Sequence, residues 1–89
     1  MKYKISKAFK KQVTKIRDPK VLSKVRKTIE QIDSATSLAD IQNLEPLKGF
    51  PHYYRIRFDY RYRIGIYCDS DIVEILVVGS REGFYKGFP

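Results

Sequence analysis

The chain has 89 residues, one cysteine, one histidine and a formal net charge of +8. That is enough chain for one small core, and it excludes an internal disulfide and a zinc site built from thiols and imidazoles. Cations in this excess favour polyanionic partners. Met1 to Ile5 alternates Tyr3 and Ile5 with Lys2 and Lys4, the period of a short strand. Ser6 is a good N-cap, after which Phe9, Val13 and Ile16 recur at helical spacing as far as Arg17. Asp18-Pro19 restarts a helix, with Asp as cap and Pro at the first helical position. Val21, Leu22, Val25, Ile29 and Ile32 form its apolar stripe, and the segment Ser34 to Ser37 ends it. The pair is a helical hairpin whose stripe belongs to the core, because a sheet needs a cover.

Leu38 to Gly49 is expected as a looser connection with at most one helical turn, pinned to the core by Leu38, Ile41, Leu44 and Leu47. Pro46 and Gly49 argue against a long element there. Three strands follow over Tyr53 to Phe58, Tyr60 to Cys68 and Ile72 to Ser80, the last two joined by the turn Asp69-Ser70-Asp71. Ile72 to Val78 is apolar at both parities, the pattern of an interior strand covered on both faces. The expected fold is therefore a single α+β domain over residues 1–89, in the order β-α-α-β-β-β, with four strands.

Charge is unevenly used. Residues 1–35 carry eleven Lys/Arg, mostly lysines, against Asp18, Glu30 and Asp33, whereas the rest balances seven cations with seven acids. Scattered helix lysines attract anions at long range without reading sequence. By contrast, Arg55, Arg57, Arg61 and Arg63 fall within nine residues of strand, alternating with Ile56, Phe58 and Ile64. Burying the apolar partners leaves guanidiniums together on the other face, and their planar forks fit phosphate oxygens two at a time. Cys68 is expected to be a buried thiol, the longest apolar run (Ile75 to Val78) cannot span a membrane, and no apolar leader precedes the first strand; a reduced, cytoplasmic protein is expected. No metal or cofactor site is expected.

The ordered set Leu47-Lys48-Gly49, Tyr54-Arg55-Ile56-Arg57, Tyr62-Arg63-Ile64 and Val78-Gly79-Ser80-Arg81 followed by Tyr85 resembles the RelE/ParE toxin superfamily. The resemblance covers nearly the whole chain. It implies an antiparallel-dominated sheet with the helical hairpin on one face and an active site on the other. RelE-type members cut mRNA in the ribosomal A site and are held by an antitoxin, whereas ParE-type members share the fold and poison DNA gyrase. The nuclease roles fall, by resemblance, on Arg55, Arg57, Arg63, Arg81 and Tyr85. Lys48, Tyr53 and Arg61 are expected to bind substrate, with Arg61 also a candidate for pairing with Asp59 or Asp71.

The reading is a toxin that acts as a ribosome-dependent endoribonuclease, with a cognate antitoxin, the ribosome and mRNA as partners. The alternatives are a gyrase inhibitor without nuclease activity, or an inactive relative that only binds antitoxin or nucleic acid. Cleavage through the 2′-OH needs its proton removed, the phosphorane stabilised and the leaving oxygen protonated. Family nucleases often carry lysines on the strand that here holds Arg55 and Arg57, and arginine cannot act as a base at neutral pH. Proton transfer is left to Tyr85, His52 or Glu82, with Lys48 offering an ammonium at the rim.

Overall fold

The computed structural model describes Met1–Pro89 and opens with strand β1 (Lys2–Ile5). Ser6 caps helix α1 (Lys7–Thr14), its hydroxyl accepting from the Phe9 amide at 3.0 Å. Asp18 caps α2 (Pro19–Ser34) by accepting from the Lys20 amide at 2.9 Å. Pro19 is tolerated there because the first amides of a helix have no intrahelical partner. Phe9, Ile16, Val21, Val25 and Ile32 are buried, so the apolar stripes of the hairpin do face the core. One 3₁₀ turn (Leu38–Asp40) is the only helical structure in the connection that follows.

The sheet has five strands where four were expected: after β1 come β2 (Leu44–Pro46), β3 (Tyr53–Ile56), β4 (Tyr62–Tyr67) and β5 (Ile72–Ser80). Their order is β1-β5-β4-β3-β2, with β1 parallel to β5 and every other pairing antiparallel. β2 escapes notice in the sequence because it is three residues long and contains Pro46. It lies at the sheet edge, where a missing ladder donor is tolerated. Gly49 takes the left-handed φ of 86° that the turn from β2 to β3 requires.

β3 and β4 are shorter than expected. The chain leaves β3 after Ile56 and rejoins the sheet at Tyr62, and the loop between them is held by side chains described below. Ile56, Ile64, Ile66, Val73, Ile75 and Val78 are buried in the core cluster shared with the hairpin. A further helix, α3 (Arg81–Gly87), extends the expected order and packs on the other face through buried Phe84 and Phe88. Ser80 caps it, accepting from the Gly83 amide at 3.1 Å. The Phe88 ring lies on Gly65 so closely that a Cβ there would sit 2.7 Å from it. β5 is thus interior and contacted from both sides, by the hairpin and by α3.

Candidate active site

Alternation along β3 sends Ile56 into the core and leaves Arg55 and Arg57 on the α3 face. Arg55 lies across from Glu45 in the β2–β3 register and donates from Nε to Glu45 Oε1 at 3.1 Å. Its Nη1 donates to the Tyr85 hydroxyl at 2.6 Å, with the guanidinium carbon 5.7 Å from the Tyr85 ring centre. Arg57 Nε reaches the same Glu45 oxygen at 3.2 Å. One half-exposed carboxylate therefore ties Arg55 of β3 to Arg57 just beyond the strand, and Arg55 carries the link to α3.

Beyond Arg57 the surface drops into a groove of about 430 Å³, whose cations are Lys24, Arg57, Arg63 and Arg81. Arg63 spends Nη1 on the carbonyls of Asp59 (2.8 Å), Tyr62 (3.0 Å) and Tyr60 (3.5 Å), which fixes the loop between β3 and β4. Its Nε is buried and has no partner. A buried N–H left unpaired costs on the order of 1–3 kcal/mol. Nε lies too deep to be reached from outside, and the hydrogen bonds of the side chain all run from Nη1. Arg81 opens α3, its amide donating to the Arg61 carbonyl at 2.6 Å, and its exposed guanidinium makes no ion pair or hydrogen bond. Lys24 closes the groove from α2 by pairing with Asp59 at 2.8 Å. That hydrogen bond holds the Asp59 carboxyl below the usual carboxylate range, against the opposing effect of burial.

The structure thus brings Arg55, Arg57, Arg63, Arg81 and Tyr85 onto one continuous surface. Tyr53 shares it, packed edge-on against Tyr67 (4.8 Å between centroids) and Phe88 (5.7 Å). The Tyr67 hydroxyl donates to Asp69 at 3.0 Å, which pushes its pKa above the ordinary phenol value.

One expected pairing differs, and three other candidates lie outside the arginine groove. Arg61 pairs with neither Asp59 nor Asp71 through its side chain: Nη2 reaches Asp18 at 3.0 Å, anchoring the loop to the cap of α2, while Asp59 accepts only its backbone amide. His52 stands before β3, with a left-handed φ of 70° and its ring 6.1 Å from Tyr67. Strand rise puts it about 16 Å from Arg57, at the other end of β3. Lys48 is in the β2–β3 turn at that same end, and its ammonium is unpaired. Glu82 lies beside Tyr60, Arg61 and Arg81 in a neighbouring recess and forms no ion pair.

Two contributors escape the sequence reading. Glu45 sits on the unforeseen strand, and its signal is that it is the only acid between Asp40 and Asp59. Lys24 reads as one helix lysine among many, and only the approach of α2 to Asp59 sets it apart.

A family model described as the ParE toxin of type II toxin–antitoxin systems, parDE, matches residues 3–84. The chain belongs to the ParE toxin family. It is a toxin of a type II toxin–antitoxin system, within the RelE/ParE superfamily. Among solved structures, the toxin resembles the RelB–RelE antitoxin–toxin complex from Methanococcus jannaschii at 28% identity, over 96% of this chain and 98% of that one, with a TM-score of 0.80. The DinJ–YafQ complex of E. coli matches at 13% identity over 93% and 96% of the two chains, with a TM-score of 0.72. The RelBE complex of E. coli matches at 22% over 88% and 93%, with a TM-score of 0.64. These last two matches establish the toxin's fold alone. No curated protein sequence matches the toxin.

Proposed function

We propose that this toxin is a RelE-type endoribonuclease that cuts mRNA in the ribosomal A site without a metal ion. The observation that carries this reading is the groove lined together by Arg57, Arg63 and Arg81, with the exposed Arg81 guanidinium unpaired. A phosphodiester in the groove places its non-bridging oxygens among three permanent cations. The 28% identity to an archaeal RelE over nearly the whole chain supports the same assignment.

In the reaction, the 2′-hydroxyl gives its proton to solvent water as its oxygen bonds to the adjacent phosphorus and the bond to the 5′-oxygen breaks, and Tyr85 regains from solvent the proton that it gives to the leaving oxygen. The products are a 2′,3′-cyclic phosphate and a 5′-hydroxyl. Arg57, Arg63 and Arg81 stabilise the added charge on the phosphorane, and fixed donors of this kind contribute on the order of 3 kcal/mol each. Tyr85 accepts a hydrogen bond from Arg55, so its own O–H proton is free to point at substrate. It is the proton-bearing group assigned to the leaving oxygen. Arg61 and Tyr53 steer or stack RNA at the margins, and the ribosome supplies the ordered message.

A cognate antitoxin is the expected partner, because the similar structures from M. jannaschii and E. coli are antitoxin–toxin complexes. The site of action is the cytoplasm, where ribosomes work. The second reading, a ParE-type gyrase poison, is favoured by the family model that matches the chain. Induction without antitoxin, followed by mapping of RNA 5′ ends, separates the two. Cuts within translated codons are expected; growth arrest with an SOS response and intact messages overturns the nuclease reading.

A further inference from the structure

A second groove, of about 230 Å³, lies between α2 and the segment leading into β2, around the end of β3 from the arginine groove. Lys24 and Phe58 line both, so the two grooves adjoin at these side chains. Lys24, Lys27 and Gln31 line the second groove from α2, at the three- and four-residue spacing that puts them on one helix face. Gln42 and Asn43 line it from the other side. Asn43 is held with a left-handed φ of 62°, and its carbonyl accepts from the Arg57 amide at 3.2 Å, which fixes it relative to the arginine groove. Phe58 supplies an apolar wall and no carboxylate lines the groove. The Lys27 ammonium has no ion pair, and the side-chain amides of Gln42 and Asn43 make no hydrogen bond within the protein; only Gln31 is engaged, accepting from the Gln42 backbone at 3.3 Å.

Unspent amides, a free ammonium and an aromatic wall are the set that recognises a nucleotide. Asn and Gln present a donor and an acceptor side by side, matching the edge of a base, whereas an aromatic ring accepts its face. Lysine neutralises the phosphate as a mobile point charge. An acidic peptide would use the lysines and leave the amides and Phe58 idle.

We propose that this groove is a nucleotide-binding subsite that holds the RNA residue flanking the phosphate in the arginine groove. Gln42 and Asn43 read its base, Phe58 contacts the ring and Lys27 its phosphate. The assignment rests on the nuclease reading for its place in a reaction, but not for its ligand. It makes Gln42 and Asn43 a source of sequence preference at the cleavage site.

The test is an NMR titration of the full-length toxin with AMP, GMP, CMP and UMP separately, and with a short polyglutamate peptide. Base-dependent shifts at the amides of Gln42, Asn43 and Phe58 are expected, with Gln42→Ala/Asn43→Ala weakening the preferred nucleotide at least threefold and equalising the four. Shifts confined to Arg57, Arg63 and Arg81, identical for all bases, overturn the subsite while leaving the phosphate site intact. Displacement by polyglutamate with no base dependence overturns it in favour of a peptide groove. If base-dependent binding is found but translating ribosomes show no mRNA cuts, the subsite stands and the nuclease reading alone falls.

Discussion

Arg55 and Tyr85, thirty residues apart in sequence, are joined by a 2.6 Å hydrogen bond from the guanidinium Nη1 to the phenolic oxygen. Neither residue is placed by its own element alone. β3 orients Arg55 by pairing with β2 and β4, and α3 presents Tyr85 because Phe84 and Phe88 are buried against the sheet. The bond closes the arginine surface from the side of α3.

Tyr85→Phe tests the hydroxyl without moving the ring. The variant keeps the edge contact with Phe84 and loses the bond to Arg55. Message cleavage is expected to fall by about a hundredfold, the lower range for loss of a positioned proton donor. The thermal midpoint should be unchanged within a degree or two. Single-turnover cleavage on programmed ribosomes and a thermal melt measure both; unchanged cleavage removes Tyr85 from the chemistry.

Gly65→Ala asks whether α3 must lie flat. The new Cβ would meet the Phe88 ring at 2.7 Å, too close for any side chain to tolerate without movement. Overpacking of this kind costs about 1–3 kcal/mol, read as a lower urea midpoint. Displacing Phe88 also loosens the anchor of Tyr85, so cleavage should drop with stability. Phe88→Ala in the same background should recover part of the loss.

The hairpin and the core were legible because burial there is periodic: Val21, Val25 and Ile32 announce a helix face, and the alternation of Ile64 with Arg63 announces a strand. Ser6 and Asp18 as caps were equally plain. β2 was not, because three residues at an edge carry too little periodicity and Pro46 reads as a breaker. α3 was hidden by Gly83 and Gly87, weak helix formers tolerated because Phe84 and Phe88 supply the packing. For the site, parity alone put Arg55 with Arg57. The pairing of Arg61 with Asp18, across 43 residues, depends on where α2 begins in space, and no local pattern encodes it. His52 and Lys48 are close to Arg55 in sequence but precede β3, at the end away from Arg57, a distinction only the register supplies.

Glu45→Gln keeps the shape of the carboxylate and removes its charge. Arg55 and Arg57 lose their shared anion. Affinity for single-stranded RNA is expected to rise about threefold at low salt, the scale of one partly exposed ion pair, with a steeper dependence on salt concentration. Fluorescence anisotropy at several salt concentrations measures this, and weaker binding would show that Glu45 organises the arginines more than it neutralises them.

Asp59 gives the fold an acid-sensitive joint. Its carboxyl is held below 3.8, chiefly by the Lys24 hydrogen bond, so its contribution is complete above that value and is lost as pH falls through the lowered native value. Asp59→Asn should therefore be less stable than the wild type at pH 6, by about 1 kcal/mol given the half-exposed Lys24. The difference should shrink towards pH 3. Urea denaturation at both pH values checks the sign; a gap that persists at pH 3 assigns the cost to packing and not to charge.

The most direct measurement is the chemistry of the ends produced when purified toxin meets ribosomes carrying a defined message in the A site. The account predicts a 2′,3′-cyclic phosphate upstream and a 5′-hydroxyl downstream. With Arg81→Ala, whose guanidinium has no partner within the fold, the cut should be slowed about a hundredfold or more without loss of the thermal midpoint. Intact message with the wild-type toxin, or cutting by Arg81→Ala at the wild-type rate, would contradict it.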